Sequence, residues 1–201
     1  RVICKAWPHV MGVVVAVIDS GTAALAPALA GRVIGGESFV AGDPLSATHH
    51  ENGWHGTGTA EMVAANAGFV FSDASAFVRS LRLHAPDSVF PAPAPFPPGF
   101  SVVPMTGTAP GARLYAMKVF PSTGGGAPES RIIAAMDRAI TLRRNFNRGV
   151  AAAPRAGTGT DPENNPAIFD ALNIEIVNMS LGGPTLFAGR DLEDQLTLAM
   201  L

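Results

Sequence analysis

Short apolar runs, separated by polar, glycine-rich or proline-rich segments, dominate the hydrophobic pattern of the chain. Three of these runs end at a turn or a proline and are almost continuously apolar, which predicts buried strands; they are residues 13–18, 112–120 and 174–179. Apolar residues at helical spacing or a run of alanines predict helices in three further segments; these are residues 56–67 (beginning near His55), 130–144 and 192–201.

The order of these elements along the chain is strand, helix, strand, helix, strand, helix. This order is typical of βαβ units and predicts an α/β fold with a mostly parallel sheet. Continuous apolar strands fit such a sheet, because both of its faces are covered by helices. In open α/β sheets the chemistry lies beyond the carboxyl ends of the strands, where Asp19 and Ser180 follow two of the predicted strands.

Three stretches between these elements lack a clear hydrophobic period. Residues 22–54 and 148–166 are predicted to be loops, the first with short strands within it. Residues 69–106 contain the tract Pro-Ala-Pro-Ala-Pro-Phe-Pro-Pro at 91–98. Proline lacks the backbone N–H that a central strand or a helix interior needs, so this tract is expected to be an extended surface segment.

Composition narrows the class of protein. The chain has 201 residues, of which 47% are hydrophobic and 15% charged, and its net charge is −2. This composition argues against disorder and against a basic nucleic-acid surface. The longest clean apolar run, Val13–Ile18, is far shorter than the roughly 20 residues that a membrane span requires, and a single cysteine excludes a disulfide framework and a cysteine-rich zinc site.

Asp19 and His55 are the residues most suggestive of chemistry. Asp19 follows a buried strand, and His55 precedes Gly-Thr-Gly, whose small residues let another segment approach closely. A carboxylate can accept a hydrogen bond from histidine Nδ1–H, fix the tautomer and stabilise the imidazolium. The alternatives are a turn aspartate in Asp-Ser-Gly and a surface or core histidine.

Four segments in order resemble the subtilisin-like serine proteases. Residues 15–21, Val-Ala-Val-Ile-Asp-Ser-Gly, resemble the aspartate motif of that family, and residues 55–60, His-Gly-Thr-Gly-Thr-Ala, resemble its histidine motif. Residues 107–119 are similar to its next core strand, and residues 177–183 to its substrate-edge strand. The resemblance implies a three-layer α/β/α fold and a serine endopeptidase that acts on polypeptides.

The resemblance also implies roles for particular residues. Asp19 would orient and support His55, which would act first as a general base and then as a general acid. Two segments would flank an extended substrate, the first by pairing with it as an added strand; they are Ser180, Leu181 and Gly182, and on the opposite edge Gly124, Gly125 and Gly126. The alternatives are a turn that ends a strand at Ser180–Gly182 and a plain flexible loop at Gly124–Gly126.

The chain departs from the family pattern in several places. Thr22 stands where a larger apolar residue is usual, and Glu61 where glycine is usual. The serine motif Gly-Thr-Ser-Met-Ala and an assignable oxyanion asparagine are absent from the sequence. We therefore expect a partial peptidase domain over 1–201, truncated at its C-terminus and inactive alone, with surface insertions at about 69–106 and 143–172.

Other functions are less well supported by the sequence. A non-catalytic protein that binds extended peptides on the same fold is the main alternative. A metal site at His49, His50 and His55 fits poorly, because the spacing from His50 to His55 is five residues and not the four that one helical face requires. No cofactor or nucleic-acid partner is expected. The resemblance is compatible with structural calcium, for which no site can be assigned. It also implies a secreted or cell-envelope location.

Overall fold

The structure, a computed structural model, describes residues 12–46 and 53–183 together with residues 195 and 197. The predicted helix 192–201 lies outside the described residues except at those last two positions, which are helical. The strands are β1 Val14–Asp19, β2 Val33–Ser38, β3 Asn66–Ser72, β4 Phe90–Pro91, β5 Phe100–Thr106, β6 Arg113–Lys118 and β7 Ile174–Met179. The helices are α1 Gly53–Ala64, α2 Ala76–His84 and α3 Glu129–Asn147.

The main sheet has four parallel strands in the order β2-β6-β1-β7. Asp19 at the end of β1 is in register with Lys118 of β6, and Ile18 is in register with Met179 of β7. The carboxyl ends of these three strands therefore lie side by side, with β1 in the middle. The three predicted strands are all present in this sheet, and the α/β fold class is confirmed. Strand β7 was expected to be buried, but it lies at the end of the strand order and only its Ile174 is buried.

Two helices cover the two faces of β1, whose residues are all buried. Val15 and Val17 pack in a cluster with Ala60 and Ala64 of α1. Ala16 and Ile18 pack instead in a cluster with α3, through its residues Ile132, Ala135, Met136, Ala139 and Leu142. Because successive side chains of a strand point to opposite faces, a strand covered on both sides must be apolar throughout, and the result is a three-layer arrangement.

Residues 66–106 form a small sheet of their own and leave the parallel sheet uninterrupted. Its antiparallel strands have the order β3-β5-β4, and α2 lies between β3 and β4 in the chain. The strands and the helix of this stretch were not predicted from the sequence, which suggested only a surface insertion over 69–106. The proline tract 91–98 is largely exposed, as predicted, and Pro91 lies in the edge strand β4, where a missing N–H leaves no gap in the ladder.

Helix α1 begins and ends about three residues earlier than the pattern predicts. Residues 66 and 67 belong to β3, although 56–67 was expected to be helical. The reason lies in the segment 107–109, which donates three backbone hydrogen bonds to carbonyls at the end of the helix, from Gly107 to Ala65, from Thr108 to Met62 and from Ala109 to Val63. These bonds satisfy carbonyls that a longer helix would have used itself.

Strand β2 is one of the short strands expected within residues 22–54, whereas the stretch after α3 begins later than predicted. The segment 33–38 is an edge strand of the main sheet within the predicted loop 22–54. Residues 143–147 belong to α3 and not to an insertion. The remainder, 148–173, runs beside β2, where Gly36 N–H donates to the carbonyl of Ala167. A side chain at Gly35 would lie 2.1 Å from that same carbonyl, so this close approach requires glycine.

Candidate active site

Asp19 lies at the carboxyl end of the central strand β1, and only 1% of it is exposed. Its backbone carbonyl accepts from Val119 N–H of the segment after β6, which extends the ladder past the end of β1. Its carboxylate Oδ1 accepts from Ser20 N–H at 2.7 Å. Oδ2 is buried and has no hydrogen-bond partner among the described residues. The carboxylate is thus held rigidly in a site that largely excludes water.

His55 is the third residue of α1, and its Nδ1 lies 2.8 Å from Asp19 Oδ1. The predicted contact is therefore present, between residues 36 positions apart in the chain. The two side chains differ sharply in exposure, at 55% for His55 and 1% for Asp19. An imidazole whose Nδ1–H donates to this carboxylate keeps the lone pair of Nε2 free to accept a proton.

Two hydrogen bonds and a close approach at Gly56 hold the first turn of α1 against the turn that follows β1. Ser20 Oγ accepts from Gly56 N–H at 3.0 Å, and Thr57 Oγ1 accepts from Ala23 N–H at 3.0 Å. A Cβ at Gly56 would lie 2.1 Å from the carbonyl oxygen of Gly21. The small residue beside His55 thus lets the helix approach closely enough to form the carboxylate–imidazole bond.

The two predicted substrate edges lie at the same end of the sheet as Asp19. Ser180, Leu181 and Gly182 follow β7, with Ser180 and Gly182 exposed and Leu181 half-buried against the core. Gly124–Gly126 lie in the loop between β6 and α3, where Gly124 and Gly125 adopt positive φ. Because β1 lies between β6 and β7, these segments follow its two neighbours. Their role in binding stays a prediction.

A comparison with protein families identifies the family to which the chain belongs. The sequence model of the subtilase family matches residues 11–197. The chain belongs to the subtilase family. A search of curated proteins found no match. Subtilases are serine peptidases, so the protein is a hydrolase of a family whose substrates are polypeptides.

In this subtilase, a buried lysine that sequence reasoning missed supports the Asp19 turn. Lys118 is fully buried and donates to Ser122 Oγ at 2.6 Å and to the carbonyl of Pro44 at 3.0 Å. Its Nζ lies 3.5 Å from Asp43 Oδ2, which also accepts from Ser122 N–H. The lysine thereby fixes a loop, residues 43–46, whose Leu45 carbonyl accepts from the N–H of Thr22 in the Asp19 turn.

The charged groups of Lys118 and Asp43 shift each other's pKa. Burial lowers the pKa of the Lys118 ammonium, and the neighbouring Asp43 opposes that shift. The hydrogen bond from Ser122 N–H lowers the pKa of Asp43, and Lys118 acts in the same direction. The only signal in the sequence was a lysine at the end of a largely apolar strand, which by itself does not identify a partner.

The described residues do not assemble a metal site. Among them, no group of three or more His, Cys, Asp or Glu side chains is placed to hold an ion. His49 and His50 lie outside the described residues. The Asp161 carboxylate accepts from Asn164 Nδ2 and from the N–H groups of Glu163 and Asn164 in a closed turn, and these bonds lower its pKa.

None of the helices in the described part of the chain is both long and apolar enough to cross a membrane.

Proposed function

We propose that this chain supplies the aspartate and the histidine of an Asp-His-Ser triad in a serine endopeptidase. The observation that carries the proposal is the 2.8 Å contact between Asp19 Oδ1 and His55 Nδ1, which joins a buried carboxylate to an imidazole that is more than half exposed. A structural ion pair would gain little from leaving one partner open to the solvent, whereas a general base must reach its substrate.

Each side chain then has one role. Asp19 holds the proton on Nδ1 and stabilises the imidazolium that forms when His55 accepts a proton at Nε2. His55 takes the proton of the attacking serine and later gives it to the leaving amine. Ser20, Gly56 and Thr57 hold the turn and the helix together, so that the geometry exists before the substrate binds.

We further propose that the polypeptide binds in an extended conformation beside Ser180, Leu181 and Gly182. Added strands gain affinity from main-chain hydrogen bonds, which suits an enzyme that must accept many side chains. The loop at Gly124–Gly126 would form the opposite edge. Its backbone has room, since a side chain at Gly125 or Gly126 would meet no atom within 4 Å.

The nucleophilic serine and the oxyanion donors would come from sequence after Leu201. The test uses a serine-directed fluorophosphonate on two proteins, the 201-residue chain and a version extended to include a Gly-Thr-Ser-Met-Ala-like segment. We expect no labelling of the first and stoichiometric labelling of the second. His55→Ala should abolish the labelling, whereas His84→Ala, which removes a histidine on α2, should leave it unchanged.

Two outcomes would contradict the proposal. Stoichiometric labelling of the 201-residue chain, abolished by His55→Ala, would show that a serine within it, such as Ser20, Ser72 or Ser180, is the nucleophile. An extended chain that binds peptides but is never labelled would favour a non-catalytic peptide-binding protein on the same fold.

A further inference from the structure

An open groove lies beside the first two turns of α1, the helix that carries His55. It has a volume of about 600 Å³ and is called here the α1 groove. Its principal lining residues come from three segments of the chain; they are Leu25, Pro27, Trp54, Thr57, Glu61 and Glu163.

The apolar side of the α1 groove is unusually exposed. Trp54 is 71% exposed and Leu25 is 68% exposed. Exposed large apolar side chains around a concavity are typical of a binding site. Trp54, Gly58 and Glu61 lie four and three residues apart on one stripe of α1. Trp54 immediately precedes His55, so the groove and the proposed general base share the first turn of α1.

Among the described residues, the charged groups that line the α1 groove all have the same sign. They are the carboxylates of Glu61 and Glu163, both half-buried, and no described lysine or arginine lines the groove. Within the described part of the chain, neither carboxylate has an ion pair or a side-chain hydrogen bond, and both are therefore available to an incoming cation.

Backbone hydrogen bonds hold the walls of the α1 groove in place. The carbonyl of Glu163 accepts from Leu45 N–H at 3.0 Å and from Ser46 N–H at 3.4 Å, which fixes the loop that carries this carboxylate. On the other wall, Ala23 N–H donates to Thr57 Oγ1 and ties the segment 23–27 to α1. The groove is thus preformed and requires little ordering when it is filled.

We propose that the α1 groove binds a lysine or arginine side chain of the polypeptide substrate, an inference that rests on the proposed peptidase function. The methylene stem of such a residue would pack on Leu25 and Trp54, and its cationic head would lie between Glu61 and Glu163 and against the indole. An acidic side chain would be repelled here, and an apolar one would leave two half-buried carboxylates without compensation.

The test measures peptide binding to the 201-residue chain itself and therefore does not depend on turnover. Trp7→Phe leaves Trp54 as the single tryptophan, and its fluorescence reports on the groove. Two peptides of the same shape are compared, Ala-Ala-Arg-Ala-Ala and the variant with neutral citrulline in place of arginine. We expect the arginine peptide to bind about tenfold more tightly at low salt, with the preference falling as salt rises.

Variants then locate the site. Glu61→Gln combined with Glu163→Gln should remove the arginine preference, whereas Glu129→Gln, a charge change of the same kind on the exposed start of α3, should leave it intact. Gly58→Leu should block the groove, because a side chain there meets no atom within 4 Å and can occupy the open space. Gly58→Ala is the matched control and should still bind.

The possible failures can be told apart. Equal binding of the two peptides, or an arginine preference that survives the double glutamine variant, overturns the inference whatever the fluorophosphonate experiment shows. An intact arginine preference in a protein whose extended form is never labelled overturns the peptidase function instead, and leaves the cation-binding groove standing.

Discussion

Gly56→Ala should separate the helix that carries His55 from the turn that carries Asp19. The new Cβ would lie 2.1 Å from the carbonyl oxygen of Gly21 and 3.2 Å from Asp19 Cβ. Both are atoms of the packed turn, so no flexible side chain can move aside. Because such contacts do not occur below 3.0 Å, α1 has to move outward by about 1 Å.

The size of the effect follows from two opposing contributions. Overpacking of this kind costs about 1–3 kcal/mol, whereas replacing glycine by alanine in a helix returns up to about 1 kcal/mol. Gly58→Ala is the matched control on the same helix, because a Cβ there meets nothing within 4 Å. The control should be stabilised by about 0.5–1 kcal/mol, and the difference between the two variants gives the cost of the clash alone.

Urea unfolding followed by circular dichroism measures both variants. We expect Gly56→Ala to be less stable than Gly58→Ala by about 1–3 kcal/mol. In the extended, active protein the displacement should also lower kcat by about 10²-fold, because the 2.8 Å contact between Asp19 and His55 is stretched beyond hydrogen-bond length. Equal stability of the two variants within about 0.5 kcal/mol, the usual scatter for neutral substitutions, would refute the argument from close approach.

Three other substitutions test separate parts of the structure. Asp19→Asn should change the tautomer of the His55 ring, visible in its ¹⁵N chemical shifts, and lower the kcat of the extended protein by about 10⁴-fold; an unchanged ¹⁵N spectrum would contradict the assigned contact. Asp43→Asn should cost about 1–3 kcal/mol at neutral pH because it leaves the buried Lys118 without its counter-charge. The pKa of Asp43 is lowered from 3.8 in the folded state. The contribution of its carboxylate to the free energy of unfolding is therefore complete above about pH 4 and is lost as the pH falls through the folded pKa. The stability difference between the wild type and Asp43→Asn should vanish in acid, and a difference that is independent of pH would contradict this reasoning. Replacing the exposed residues 93–98 by a short glycine linker should cost less than about 1 kcal/mol in thermal or urea unfolding, and a loss of several kcal/mol would show that the tract is part of the core.

The positions of the predicted and the observed elements show which signals the sequence carries. The strand 174–179 was predicted with the bounds that the structure has, since its apolar run and the turn residues that follow are local signals. Its expected burial was wrong, because only Ile174 is buried at this edge of the sheet. Strand β2 was only allowed for within a loop, because its Val-Ile-Gly-Gly-Glu-Ser sequence has no clear period and contains two glycines. Its pairing with β6, some 80 residues later, is what makes it a strand.

The strands within 66–106 could not be predicted for a similar reason. Its strands β3 and β5 contain glycine, serine and proline among apolar residues, and they become regular only by pairing with each other over seven positions. Weak local preferences of this kind are overridden by tertiary context. The proline tract was predicted well, because the missing N–H of proline acts locally and needs no partner elsewhere in the chain.

The sequence by itself determined which residues could perform the chemistry. Asp19 and His55 stand out because the residues around each of them predict its local structure. Asp19 ends an apolar strand in Asp-Ser-Gly, and His55 precedes small residues at the start of a helix. What only the tertiary structure decided is their distance and their unequal burial, together with the support from Lys118 and the groove between Trp54 and Glu163. These depend on which distant segments pack together, and packing is set by the whole core rather than by any local pattern.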